Sequence, residues 1–185
     1  MNSPAKLLHA LAFAADRHRD QRRKGSTKSP YINHPIAVAE VLAGAGKVTN
    51  EALLVAAILH DTVEDTQTTS AELKRRFGAD VARLVKEVTD DKSLPKQVRK
   101  RLQIEHAAST SPRGKLLKIA DKICNLRELG THPPPGWSAK RRAEYVIWAD
   151  RVVSRCRGAN AGLDRAYDEA AAKARASLGL GQEGQ

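Results

Sequence analysis

The 185-residue sequence predicts an all-α fold, a helical bundle of about eight to ten helices. Apolar residues recur at helical spacing through most of the chain. No segment alternates apolar and polar residues over a length that would make a useful strand. The length suits one domain with a substantial core, so we predict a single domain over residues 1–178 and a disordered tail over 179–185.

Apolar periodicity and helix-boundary residues predict nine helices. Pro35 suits a first helical turn, where its missing N–H costs little, with Asn33 or His34 as the cap before it. Thr69 and Glu72 have the spacing of a capping box. The predicted helices cover approximately residues 4–22, 34–44, 50–60, 69–78, 79–89, 95–109, 113–129, 138–158 and 160–178.

The composition bears on compartment and partners. No segment approaches the roughly 18 apolar residues of a membrane span, and the N-terminus lacks the apolar core of a signal peptide, so we expect a cytoplasmic protein. Cys124 and Cys156 fit reduced structural thiols better than a disulfide.

The net charge of +11 fits nucleic-acid binding, a basic cavity entrance that attracts a phosphorylated substrate, or a solvated surface. Dispersed basic residues and 4% aromatic content argue against a specific nucleic-acid partner.

His60 and Asp61 close an apolar run over residues 52–59. Burial of either polar group without a partner would cost on the order of several kcal/mol, and a divalent metal would compensate for both. His34 and Asp121 could complete a shell of two imidazoles and two carboxylates. Such a mixed shell suits Mn²⁺, Fe²⁺ or Zn²⁺ better than Ca²⁺ or Mg²⁺.

Asp121 lies in a largely apolar helix and shares one polar stripe with Asn125 and Glu128, at positions i, i+4 and i+7. Taken singly, these motifs have simpler explanations. A histidine before proline is often a cap, and an aspartate among lysines is often an ion-pair partner. Their combination favours a metal site.

Five motif segments span most of the chain: residues 22–24, 30–35, 58–66, 87–92 and 118–127. In this order they resemble the HD-domain metal-dependent phosphohydrolases. More narrowly, they resemble the hydrolase domain of the RelA/SpoT family in its stand-alone small alarmone hydrolase form.

The resemblance implies an HD-domain enzyme that removes the 3′-pyrophosphate of ppGpp or pppGpp, giving GDP or GTP and pyrophosphate. It implies that His34, His60, Asp61 and Asp121 hold one Mn²⁺, with Fe²⁺ or Zn²⁺ less favoured. It also implies that Glu64 and Asp65 form the catalytic acidic pair, which orients and deprotonates the attacking water.

The resemblance further implies that the substrate is a small nucleotide. Arg23 would pack on the purine and Lys24 would face the phosphates, while Tyr31 and Asn125 would line the pocket. Apart from the resemblance, residues 22–24 would be interpreted as a solvated helix end. At the positions of Cys124 and Glu128, bifunctional members of the family carry a histidine and a threonine.

Three alternatives remain open at this stage: the same chemistry on another nucleotide such as NADPH, a basic nucleic-acid-binding protein, and an alarmone sensor without turnover. The oligomeric state is not indicated by the sequence. Among other residues, His18 is predicted at the surface, and Trp137 and Trp148 are predicted to pack helices together.

Overall fold

The computed structural model describes residues 3–179 and confirms the all-α prediction. Within this range the only β-type pairing is one isolated bridge between Arg22 and Pro30. Gly179, the first residue of the predicted tail, lies in a turn. Residues 180–185 of that tail lie outside the described residues. The helices are α1 (Ser3–Arg17), α2 (Asn33–Gly44), α3 (Glu51–Leu59), α4 (Thr62–Asp65), α5 (Ser70–Phe77), α6 (Ala79–Val88), α7 (Lys96–Ala107), α8 (Pro112–Thr131), α9 (Ala139–Ser154) and α10 (Ala161–Ser177).

Two buried helices organise the core. Helix α8 packs against α2, α3, α6, α9 and α10, and α3 packs against α1, α2, α6 and α8. Because α3 has neighbours on several sides, it is apolar all round, and Val55, Ala56, Ala57 and Leu59 have no exposed surface. His60 and Asp61 follow the end of α3 and Asp121 lies in the middle of α8, so these three predicted ligands are anchored in the most buried part of the fold.

Side-chain caps begin several helices. Asn50 accepts a hydrogen bond from the Leu53 N–H at 2.9 Å, which ends the preceding loop and begins α3. Thr69 accepts from the Glu72 N–H at 3.1 Å, so the predicted helix start is correct. The Glu72 carboxylate does not complete the box but accepts bonds from Arg17 and Arg76.

The end of α1 and the start of α2 differ from the prediction. Helix α1 ends at Arg17 rather than Arg22, because the chain turns and His18 enters the interior, where its ring stacks on Tyr31 at 4.8 Å. His18 is only 2% exposed, so its predicted surface position was wrong. Helix α2 follows Ile32 without a side-chain cap, so neither Asn33 nor His34 caps it.

The segment between α1 and α2, residues 18–32, lies against the end of α8. A Cβ at Gly25 would lie 2.6 Å from the His132 carbonyl oxygen and 2.9 Å from a Glu128 carboxylate oxygen. Only glycine permits this close approach. The approach brings Arg23 and Lys24 of the same loop beside α8, and this placement excludes the solvated helix end considered above for residues 22–24.

Candidate active site

The four predicted metal ligands converge although 87 positions separate His34 from Asp121. His34 Nε2 lies 3.1 Å from an Asp121 carboxylate oxygen and 3.8 Å from one of Asp61. His60 Nε2 lies 3.3 Å from Asp61 and 3.9 Å from Asp121. The ligand atoms of His34, His60 and Asp121 are within 4.8 Å of one another, and Asp61 adjoins both imidazoles.

The tautomer of the His60 ring suits binding of a metal cation. Its Nδ1 lies 2.7 Å from the Ala57 carbonyl oxygen, which can only accept, so Nδ1 carries the proton. In the neutral form of this tautomer the lone pair on Nε2 faces the cluster, and this buried nitrogen has no hydrogen-bond partner in the described structure. A buried acceptor without a donor is costly, and a metal ion would satisfy it.

The charge states of the other ligands agree with this interpretation. Burial lowers the pKa of His34, which favours the neutral imidazole that binds metals. Burial acts to raise the pKa of Asp121, but Lys122 and the two histidines outweigh it and hold that pKa well below its usual range. The cluster thus provides a neutral imidazole at His34 and an ionised carboxylate at Asp121, donors suited to a divalent cation.

Neighbouring side chains fix the orientation of both carboxylates. Lys122 Nζ donates to Asp121 at 2.7 Å, and the Asn125 amide donates to the other oxygen of Asp121 at 2.7 Å. The Tyr31 hydroxyl donates to Asp61 at 2.7 Å and also lies 3.0 Å from Asp65. These contacts hold the ligand oxygens in place before any metal binds.

The predicted catalytic pair lies on α4, one turn beyond the ligands. Burial, reinforced by the charges of Asp90, Asp61 and Asp65, raises the pKa of Glu64 to about 7. The Asp90 N–H donates to one Glu64 oxygen at 3.1 Å, and Arg99 lies 3.7 Å from the other. Glu64 can therefore exchange a proton near neutral pH, which suits a general base.

Asp65 has a different environment. It forms an ion pair with Lys92 and accepts a hydrogen bond from Tyr31. Its carboxylate is thus tied to the group that also holds the predicted ligand Asp61. This arrangement suits a positioning role better than proton transfer.

An inner cavity contains this cluster, and an outer cavity shares a wall with the inner one. The inner cavity, of about 310 Å³, contains the four ligands, Glu64 and Asp65. The outer cavity, of about 570 Å³, has the size of a small-molecule site. Both cavities are lined by all four residues predicted to contact the substrate, Arg23, Lys24, Tyr31 and Asn125.

Hydrogen bonds hold Arg23 in place on the wall that the inner and outer cavities share. Its Nε donates to Glu128 at 2.7 Å, its Nη2 donates to the Asn125 side-chain oxygen at 2.7 Å, and its guanidinium lies 5.4 Å from the centre of the Tyr31 ring. Asn125 also bonds Asp121, so one polar chain links Arg23 to the ligand cluster.

Sequence reasoning missed several residues of the outer cavity. Trp137 lines it together with Pro134 and Tyr145. The predicted packing of this tryptophan is confirmed by its contact with the Tyr145 ring at 5.7 Å, but its place in the cavity was missed. Trp148 also packs, with its indole N–H donating to the Lys100 carbonyl at 3.0 Å. The loop position of Trp137, directly after a proline-rich segment, is the one sequence signal that would have suggested a site residue.

Comparison with known proteins adds the family. The model of the HD domain matches residues 10–150. The chain belongs to the HD-domain family. Within it, this HD-domain protein is RelA/SpoT-like, as the sequence motifs predicted.

Relatives of this HD-domain protein carry the name guanosine-3′,5′-bis(diphosphate) 3′-pyrophosphohydrolase MESH1. The Xenopus tropicalis protein is 53% identical, covering 91% of this chain and 94% of the relative. The human protein is 54% identical, covering 88% and 90%. A solved structure of a metazoan ortholog of SpoT, described as hydrolysing ppGpp and acting in starvation responses, superposes with a TM-score of 0.87 at 51% identity and covers 90% of this chain and 93% of its own.

Across residues 3–179, no helix combines the length and the apolar character needed to cross a bilayer.

Proposed function

We propose that this protein is a Mn²⁺-dependent hydrolase that removes the 3′-pyrophosphate of ppGpp and pppGpp. The observation that carries the proposal is the cluster of His34, His60 and Asp121, with Asp61 beside both imidazoles and Glu64 in the same cavity. The names of relatives that are 53% and 54% identical over 91% and 88% of this chain support the choice of substrate.

The nucleotide would occupy the outer cavity with its 3′-pyrophosphate directed into the inner one. The planar Arg23 guanidinium offers a stacking surface for the purine. Lys24 is exposed at the junction of the cavities, where its charge can meet phosphate oxygens. Tyr31 and Asn125 line the same junction and connect the nucleotide to the ligand residues.

The reaction would break the bond between the 3′-oxygen and its phosphorus. A water oxygen bonds to that phosphorus, the 3′-oxygen leaves and takes up a proton, and GDP and pyrophosphate are released. Glu64 accepts the proton of the attacking water, and Asp65 holds Tyr31 and Lys92 in place around it. When bound, the divalent ion would supply Lewis acidity toward the water and the phosphoryl oxygens.

Turnover of ppGpp tests this proposal. Metal-free protein reconstituted with Mn²⁺, Fe²⁺ or Zn²⁺ should release pyrophosphate and GDP in equal amounts, fastest with Mn²⁺. A protein with a filled metal site that leaves ppGpp intact would refute the proposal, and faster turnover with Zn²⁺ would correct the metal.

A second candidate is the same chemistry on NADPH, at its 2′-phosphate. The aromatic end of the outer cavity, formed by Trp137 and Tyr145, offers a surface for a second planar ring. Arg23 stacking does not distinguish one purine from another. Values of kcat/KM measured side by side on ppGpp and NADPH decide between them.

The cytoplasm is the compartment we propose for this activity. Both cysteines are buried free thiols, Cys124 and Cys156, as expected in a reducing environment. The proposed partner is the small nucleotide alone.

A further inference from the structure

Lys118 is a buried cation for which the proposed chemistry has no role. It lies on α8 one turn before Asp121, its side chain lines the inner cavity, and it is 8% exposed. Its ammonium makes no hydrogen bond or ion pair with any residue in the range 3–179. Lysine is almost never this buried without a partner.

The other cations of the inner cavity behave differently. Lys122 pairs with Asp121 at 2.7 Å, Arg99 lies 3.7 Å from Glu64, and Lys92 and Arg23 form ion pairs with Asp65 and Glu128. Lys24 is exposed, so water satisfies its charge. Among the lysines and arginines described at this cavity, Lys118 alone is both buried and unpaired.

An unpaired ammonium in this position favours an anion. Burial and the charge of Lys122 lower the pKa of Lys118. Asp90, Cys156 and Asp121 act to raise it. Asp90 already accepts a hydrogen bond from Gln103, and Asp121 accepts bonds from Lys122 and Asn125. The Cys156 thiol is also nearby, but burial raises its pKa and it donates to the Ala107 carbonyl, so this neutral group does not pair with the Lys118 charge. Lys118 lines the inner cavity, which also contains the ligand cluster.

We propose that Lys118 forms an inner phosphate subsite, which binds the pyrophosphoryl group of the substrate and the pyrophosphate that leaves. The assignment of the group to the 3′-pyrophosphate rests on the function proposed above. The compact charge of an ammonium suits phosphate oxygens without requiring a fixed bidentate geometry.

Binding of inorganic pyrophosphate tests the subsite separately from turnover. Calorimetric titration of the Mn²⁺-loaded protein should show affinity at least tenfold weaker in Lys118→Met, which keeps most of the aliphatic stem and removes the charge. Lys115→Met is the matched control, since Lys115 lies one turn earlier on α8 and lines neither cavity, and it should bind as the wild type does. Equal metal content in all three proteins is required for the comparison.

Affinity within twofold of wild type in Lys118→Met would overturn the proposal. If that variant does not fold, a crystal structure of the wild-type protein with Mn²⁺ and pyrophosphate gives the answer. We expect a phosphate oxygen about 3 Å from Lys118 Nζ. Pyrophosphate bound beyond contact with this ammonium would equally overturn the subsite.

The two proposals fail in different ways. A wild-type protein that binds pyrophosphate through Lys118 but leaves ppGpp intact refutes the proposed function and retains the subsite. A protein that hydrolyses ppGpp with unchanged kinetics in Lys118→Met retains the function and refutes the subsite.

Discussion

The inner and outer cavities are built in different ways. The inner cavity takes its ligands from a core helix and from the ends of helices packed against it, and neighbouring side chains fix their orientation. The outer cavity is formed by the loop over residues 18–32, the loop after α8, and the aromatic residues around them. Under the proposed function, the inner half would provide reaction chemistry on core helices, and the outer half would provide nucleotide recognition on loops, where specificity can change without loss of the fold.

Removal of an inner ligand should have the largest effect. His60→Ala deletes the nitrogen that has no protein partner, so we expect loss of bound Mn²⁺ and a fall in ppGpp turnover of about 1,000-fold or more. Metal content by mass spectrometry and pyrophosphate release measure the two effects. His106→Ala alters an exposed histidine on α7 and should change neither quantity. Normal metal content in His60→Ala would contradict the ligand assignment.

Glu64→Gln should separate metal binding from catalysis. We expect normal Mn²⁺ content and a kcat roughly 100- to 10,000-fold lower, the usual contribution of a general base. In the wild type, the base must be ionised. With a raised pKa of about 7, the group is protonated in acid, so activity should rise as pH increases toward 7. Since a bound cation favours the ionised carboxylate, metal loading should move this rise to lower pH. Wild-type turnover in Glu64→Gln would exclude Glu64 as the base.

Changes at the outer cavity should be smaller and should act on KM. Arg23→Ala removes the proposed purine stacking surface, and we expect KM for ppGpp to rise about 10- to 100-fold with a smaller change in kcat. Arg23→Lys should restore little, because an ammonium cannot stack on a base. Steady-state kinetics check both variants. An effect confined to kcat would contradict the proposed role of Arg23 in purine binding.

The smallest expected effect is on stability. The pKa of Glu64 is raised from its ordinary value of 4.5 to about 7, so its contribution to stability is present in acid and is lost as pH rises between these values. Glu64→Gln in metal-free protein should therefore gain roughly 1 kcal/mol of unfolding free energy at pH 8, after allowance for solvent screening, and almost none at pH 4. Urea unfolding at the two pH values measures the difference. Equal gains at both would show that Glu64 ionisation is not costly.

The difference between the cavities also explains what could be predicted from the sequence. The apolar run before His60 and the polar stripe from Asp121 to Glu128 encode helix positions directly, and both were located correctly. Helix α4 has four residues, too few for periodicity to show. The end of α1 depends on the stacking of His18 on Tyr31, a tertiary contact that local pattern does not contain.

The outer site depends on similar long-range contacts. Arg23 meets Glu128 across 105 positions of sequence, so the role of Glu128 in holding Arg23 could not be derived from either residue alone. Trp137 reaches the cavity from a loop, where no periodicity indicates which way a side chain points. In the inner site, motifs fixed the residue types and the fold brought them together.

The proposed function requires that one Mn²⁺, held by His34, His60, Asp61 and Asp121, supports hydrolysis of ppGpp. The decisive measurement is pyrophosphate release while metal-free protein is titrated with Mn²⁺. We expect activity that rises linearly and reaches its plateau at one ion per chain. Protein that binds one Mn²⁺ per chain and still releases no pyrophosphate from ppGpp would contradict it.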